Sequence, residues 1–171
     1  AIKKTKGVIN RWLPNKQVSY RNDLITLIRE TVENSIDHSG TKPMKGVCYY
    51  IVQKYEKNGK TEIQIAVGDI GVGMLTSLRR VFPETKNDVD AIYGAFIEGK
   101  SGRPMGGGLG YHTIKSALFN LRGNISIRSG TGMIFYTHGY TRPYIYRMKA
   151  KFPGTQIIFH CKAWQNNKLI V

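Results

Sequence analysis

The sequence predicts an α/β domain, a two-layer sandwich in which helices cover one face of a mixed, mostly antiparallel sheet. Three observations point there. A long amphipathic helical pattern near the N-terminus is followed by two β-rich runs. Shorter helical segments and a glycine-rich stretch fill the middle. The C-terminal part is β-like almost throughout. That order is neither strict β-α-β alternation nor all-β.

The 171 residues suit one domain with a single core. Residues 1–22 are basic, include Trp12 and Pro14, and read as a connecting arm, with residues 23–171 as the domain proper. Over residues 23–39, Leu24, Leu27, Ile28, Thr31, Val32, Ser35 and Ile36 recur at helical spacing, and Gly40 is placed to end the helix. Residues 47–52 and 61–67 are rich in β-formers, with the hairpin dipeptide Asn58-Gly59 between them. A loop, 68–73, comes next. Weak helical patterns occupy 75–81 and 88–97, and a flexible stretch over 99–108 precedes a helix over 109–121. The remainder reads as strands at 124–129, 133–137, 144–148 and 156–161, separated by glycine turns.

A hydrophobic share of 41% with 22% charged residues excludes wholesale disorder. No apolar run approaches the ~20 residues that cross a bilayer. The chain starts Ala1-Ile2-Lys3-Lys4, without an initiator Met or a signal-peptide core, and is expected to be a fragment of something longer, whose other parts could include a membrane anchor. Cys48 and Cys161 belong to no C-x-x-C pair and read as buried reduced thiols, which suits a cytoplasmic setting. The net charge is +15 and uneven. All eleven acids lie between Asp23 and Glu98, and the eleven Lys and Arg after Glu98 have no acid among them. Such a surface fits an anionic partner, whether nucleotide, nucleic acid, acidic protein or anionic lipid.

Four short motifs carry chemistry. On the first helix Glu30, Asn34 and His38 fall at i, i+4 and i+8, with Asp37 beside them. A carboxylate and an amide oxygen are what a hard cation and an attacking water need. The second motif, Asp69-Ile70-Gly71-Val72-Gly73, sets an acceptor at a strand end and allows close backbone approach. The third, Gly106-Gly107-Gly108-Leu109-Gly110, opens a helix with free backbone N–H groups, an anion site. Before it lie Lys100, Ser101 and Arg103, a candidate lid over phosphates. The fourth, Gly154-Thr155-Gln156-Ile157, enters the last strand.

Taken together, E-x-x-x-N, D-x-G-x-G, G-x-G-L-G and G-T-x-I, in this order over residues 20–162, resemble the GHKL ATPase superfamily. That superfamily (the Bergerat, histidine-kinase-like ATPase fold) includes sensor-kinase catalytic domains, type II topoisomerases, MutL and the large heat-shock chaperone. The resemblance implies ATP and Mg²⁺ as ligands. Asp69 would accept from the adenine amino group, Gly73 would let the backbone pass under the base and Thr155 would complete the network, with Gly71 and Met74 also among the nucleotide-binding residues. Asn34 would ligate Mg²⁺, with Asp37 and His38 nearby. Gly106, Gly107, Gly108, Leu109 and Gly110 would hold the phosphates, and Lys100 and Arg103 would reach them when the lid closes. Glu30 would polarise the attacking water, as in the hydrolytic branch. Asp37 stands where histidine kinases often place a Lys or Arg, again as in that branch. The short length and the Gly-Gly-Gly-Leu-Gly box are closer to kinase catalytic domains and small anti-sigma-factor kinases.

The implied activity is transfer or hydrolysis of the γ-phosphate, with water, His or Ser as the acceptor. His38, His112, His138 and His160 lie in no two-helix phosphoacceptor hairpin. A protein phosphoacceptor or partner domain, and a homodimer formed through parts outside this chain, are the expected partners. Two alternatives stand beside this reading. One is an ATP-gated conformational switch with little turnover. The other, less favoured, is a basic nucleic-acid-binding module.

Overall fold

The computed structural model describes residues 2–13, 18–39, 47–57, 60–102, 109–165 and 168–169. Helix α1 spans Ile2–Trp12 and α2 spans Val18–Ser39. The hairpin strands β1 (Cys48–Lys57) and β2 (Lys60–Asp69) follow, then α3 (Gly73–Arg79), α4 (Asp88–Phe96) and α5 (Leu109–Asn120). Two long strands, β3 (Asn124–Thr137) and β4 (Tyr144–Lys162), complete the main sheet. Short strands β5 (Trp164–Gln165) and β6 (Lys168–Leu169) pair separately.

The main sheet has the order β1-β2-β4-β3, and every pairing in it is antiparallel. Its register explains the layering. Directly paired residues share a face. The rows Val52–Ile65–Phe159–Ile125 and Tyr50–Val67–Ile157–Ile127 therefore run across all four strands on one side. That side carries the buried sheet residues and packs on the helices. The opposite rows, Gln53–Gln64–His160–Asn124 and Ile51–Ala66–Ile158–Ser126, are more open to solvent and mix polar with apolar residues. The result is the two-layer α/β sandwich the patterning predicts.

Helix α2 lies at the centre of the helical layer. Leu24, Leu27, Ile28, Thr31 and Val32 are buried along one stripe, and the Thr31 hydroxyl donates to the Leu27 carbonyl at 2.6 Å. Ile36, expected on that stripe, is exposed instead. It lies one residue, about 100° of helix turn, past Ser35, and so leaves the core. Helix α4 is capped by Asn87, whose side chain accepts from the backbone N–H groups of Val89 and Asp90; Asp88 and Asp90 add negative charge to its first turn.

Two expectations change. Residues 2–12, expected to be a connecting arm, form a helix whose Ile9 is fully buried with Leu13 against α2 residues in one core cluster. The glycine turns expected within the last strands are register shifts at Ser129/Gly130 and Gly130/Gly132 inside continuous strands. A side chain on Gly132 would strike the backbone of Asp88, so its lack of a Cβ lets β3 pass close under the start of α4, while the extra residues of the irregularity lie on β4. Both cysteines are free thiols, Cys161 buried and Cys48 half-buried. No helix among the described residues is long and apolar enough to cross a membrane.

Candidate functional site

Strand β2 ends at Asp69, beside the point where β4 bends at Gly154. Asp69 is only 4% exposed. Its Oδ1 accepts from the Gly71 N–H at 2.9 Å and from the Thr155 N–H at 3.3 Å. Burial raises the carboxyl above its ordinary range, and the two N–H donors pull partly back. Gly154 makes the arrangement possible. It sits at φ +80, and a Cβ there would overlap the Asp69 carbonyl oxygen and lie 2.6 Å from Oδ1.

A second polar knot fixes the start of α3. The buried Ser129 hydroxyl donates to the Gly154 carbonyl at 2.8 Å and accepts from the Met74 N–H at 2.9 Å. The Thr155 hydroxyl reaches the same oxygen at 3.3 Å. Gly73, at the head of α3, packs against this knot. Strands β2, β3 and β4 and helix α3 are thereby tied together around Asp69.

Facing this knot, α2 meets the first turn of α5. A Cβ on Gly110 would lie 3.2 Å from Asn34 Nδ2 and 3.6 Å from Glu30 Oε2, so Glu30, Asn34 and Gly110 are immediate neighbours. Arg29 binds the other Glu30 oxygen, Oε1, at 2.8 Å. Asn34 Nδ2 is buried and has no hydrogen-bond partner among the described residues. Such an orphan donor costs ~1–3 kcal/mol unless a ligand meets it. Turning the amide over exchanges donor for acceptor, so the same position serves a phosphate oxygen or a cation.

Asn34, Asp69, Gly73, Met74, Lys100 and Thr155 line one cavity, together with Ser77, Leu78, Tyr111 and Ile157. An acceptor at one end and apolar walls of Met74, Leu78 and Ile157 suit a flat ring bearing an amino group. The Tyr111 hydroxyl is held well above its usual range, first by desolvation and then by the charge of Asp69. The cavity measures about 60 Å³, against ~300–1,000 Å³ for clefts that enclose a small-molecule ligand. Residues 100–102 form part of its wall. A Cβ on Gly102 would lie 2.7 Å from the Ser77 carbonyl oxygen, so this segment is pressed onto α3. Lys100, expected to reach phosphates, pairs with Glu98 at 2.8 Å, and that pairing raises its affinity for a proton.

Of the other predicted residues, Gly71 serves Asp69 through its N–H and does not line the cavity. Asp37 is exposed on α2, away from the described lining. Arg103, Gly106, Gly107 and Gly108 lie outside the described residues, as do the side chains of His38 and Leu109. Sequence reasoning missed Ser129, Tyr111 and Ser77. Ser129 bonds partners 25 and 55 residues away, which no local pattern reveals. Tyr111 and Ser77 sit one and four residues beyond motif glycines and were legible only as neighbours of those motifs.

Among the described residues no group of three or more His, Cys, Asp or Glu side chains could hold a metal. A divalent cation at Asn34 would therefore draw further ligands from a bound phosphate and water, the usual habit of Mg²⁺. Comparison with protein-family models and with curated proteins finds no match to this chain.

Proposed function

We propose that this is a Mg²⁺-dependent ATP-binding catalytic domain of the GHKL type, resembling that of sensor histidine kinases, which transfers or hydrolyses the γ-phosphate. The observation that carries the reading is convergence. Asn34, Asp69, Gly73 and Thr155 come from three of the motifs and four separate elements, yet they line one cavity, with Glu30 and Gly110 beside Asn34. In this reading Asp69 accepts from the adenine amino group while Met74, Leu78 and Ile157 exclude water from the ring. The Asn34 amide holds Mg²⁺. When bound, that ion offsets phosphate charge. Glu30 orients an attacking water or acceptor hydroxyl and takes its proton.

The test is ATP labelled at the γ-phosphate, incubated with Mg²⁺ and the whole chain, with and without a protein acceptor. Glu30→Gln should keep ATP affinity within about twofold and lower phosphate release or transfer by ~10²-fold or more. Failure of the parent chain to bind Mg²⁺-ATP overturns the proposal. A second reading, an ATP-gated switch, draws support from residues 100–102 walling so small a cavity. It expects ATP to change protease cleavage near Gly99 with negligible turnover.

A further inference from the structure

A second cleft runs along α5, and it shares no described lining residue with the nucleotide cavity. It measures about 380 Å³, within the ~300–1,000 Å³ of clefts that enclose a small-molecule ligand. Helical spacing builds one wall. His112, Ser116 and Asn120 follow one another at four-residue steps, with Lys115 and Phe119 one residue before the last two. At ~100° per residue this stripe is centred roughly opposite Gly110, the residue that meets Asn34. Tyr136, near the end of β3, and His138, just beyond it, form the other wall. Ring contacts hold both in place. Tyr136 meets Phe96 edge-on at 6.0 Å, and His138 meets Phe119 in the same way at 4.9 Å.

The polar side chains of this cleft are all able to donate. They are two imidazoles, the Lys115 ammonium, the Ser116 and Tyr136 hydroxyls and the Asn120 amide. No acid is among the described residues that line it. The nucleotide cavity, by contrast, contains Asp69, and the cleft beside Lys100 contains Glu84, Asp90 and Glu98. Asp23, on α2, meets the Asn120 amide at 3.5 Å without entering the lining. Lys115 donates to the Ile97 carbonyl at 3.3 Å and lies over the Phe96 ring. An ammonium has three donors, so that bond does not exhaust it.

We propose that this cleft binds a small organic phosphate monoester, its phosphate on Lys115, His112 and His138 and its apolar body on Phe119. A phosphate monoester brings about −1.5 to −2 charges and three strong acceptor oxygens, which suits walls of donors with no competing carboxylate. A carboxylate has about four lone-pair sites, fewer than six donor side chains can use. Phe119 is 68% exposed, so its ring is open to the ester's organic part. A divalent metal fits poorly. Among the described residues no group of three or more His, Cys, Asp or Glu side chains could hold one, and the Lys115 charge repels it. The proposal does not depend on the ATP reading.

Nuclear magnetic resonance of the imidazole C–H signals, with the whole chain titrated with phenyl phosphate, tests it. The His112 and His138 signals should shift saturably, and that of His160, paired with Glu62 on the opposite face of the sheet, should not. Lys115→Gln should weaken binding by about tenfold or more. So should His138→Phe, which keeps a ring against Phe119. Phe119→Ala should weaken binding of phenyl phosphate and leave that of inorganic phosphate as it is. Benzyl alcohol should shift neither signal, and Asp69→Asn should change none of these values. Several results would overturn the proposal. They are no saturable shift of His112 and His138, parent-like affinity in Lys115→Gln and His138→Phe, an equal response to benzyl alcohol, and saturation of both imidazoles by Zn²⁺ but not by phenyl phosphate. Tighter binding of a phosphoserine peptide than of phenyl phosphate would overturn the small-molecule assignment.

Discussion

Replacing Gly154 with alanine tests how β4 holds Asp69 in place, and Gly139 supplies an internal control. Both glycines have positive φ, +80 and +87. Their surroundings differ. A Cβ on Gly139 would meet nothing within 4 Å, whereas one on Gly154 would overlap the Asp69 carbonyl and crowd Oδ1 at 2.6 Å. Each alanine takes on the backbone strain of that conformation, ~1–3 kcal/mol. Only Gly154→Ala adds the overlap, a further ~1–3 kcal/mol for forced displacement in a packed site. Urea unfolding followed by circular dichroism should therefore rank Gly154→Ala as the less stable by about 1–3 kcal/mol at an unchanged denaturant slope. It should also lose ATP binding, because the shift moves the carboxylate, while Gly139→Ala keeps it. Equal stabilities for the two variants, or parent-like ATP affinity in Gly154→Ala, would refute the packing argument.

Other outcomes follow from the same site. Ser129→Ala strands the Met74 N–H and the Gly154 carbonyl in a buried place. It should cost about 1–3 kcal/mol in denaturant unfolding, where a surface serine would cost almost nothing. The raised Asp69 carboxyl gives a pH signature. A group whose pKa is raised by folding favours the folded state while protonated. That advantage disappears as pH climbs from the ordinary 3.8 through the raised value. At neutral pH the buried charge therefore weighs against the empty fold. Asp69→Asn should melt higher than the parent near pH 7, and the gap should narrow as the acid range is entered. A gap that is constant or reversed in sign removes desolvation as the cause.

The sequence was legible where local pattern alone decides the geometry. Glu30 and Asn34 are one helical turn apart, so any helix at that place sets them side by side. Asp69 ends a strand because glycines follow it. The arm reading failed because attention went to Lys3, Lys4, Lys6 and Arg11. Beneath them Ile2, Thr5, Ile9 and Leu13 already recur at helical spacing, and burial of Ile9 and Leu13 decides the matter. The strand breaks expected near Gly130 and Gly132 failed because a glycine that ends a strand and one that bulges it look alike in sequence. Here Asp88 at the start of α4 lies against Gly130, Thr131 and Gly132, a contact that local sequence does not reveal. The pairing of Lys100 with Glu98 is likewise a matter of which acid the folded segment meets.

Calorimetric titration of the parent and Asp69→Asn with ATP and with GTP, in the presence of Mg²⁺, reaches the heart of the matter. If the Asp69 carboxylate takes the adenine amino group, the parent should prefer ATP to GTP by more than about tenfold, since guanine offers an oxygen where adenine offers a donor. The variant should lose ATP binding while remaining folded. Indifference between the two nucleotides, or an Asp69→Asn variant that binds ATP as the parent does, would contradict it.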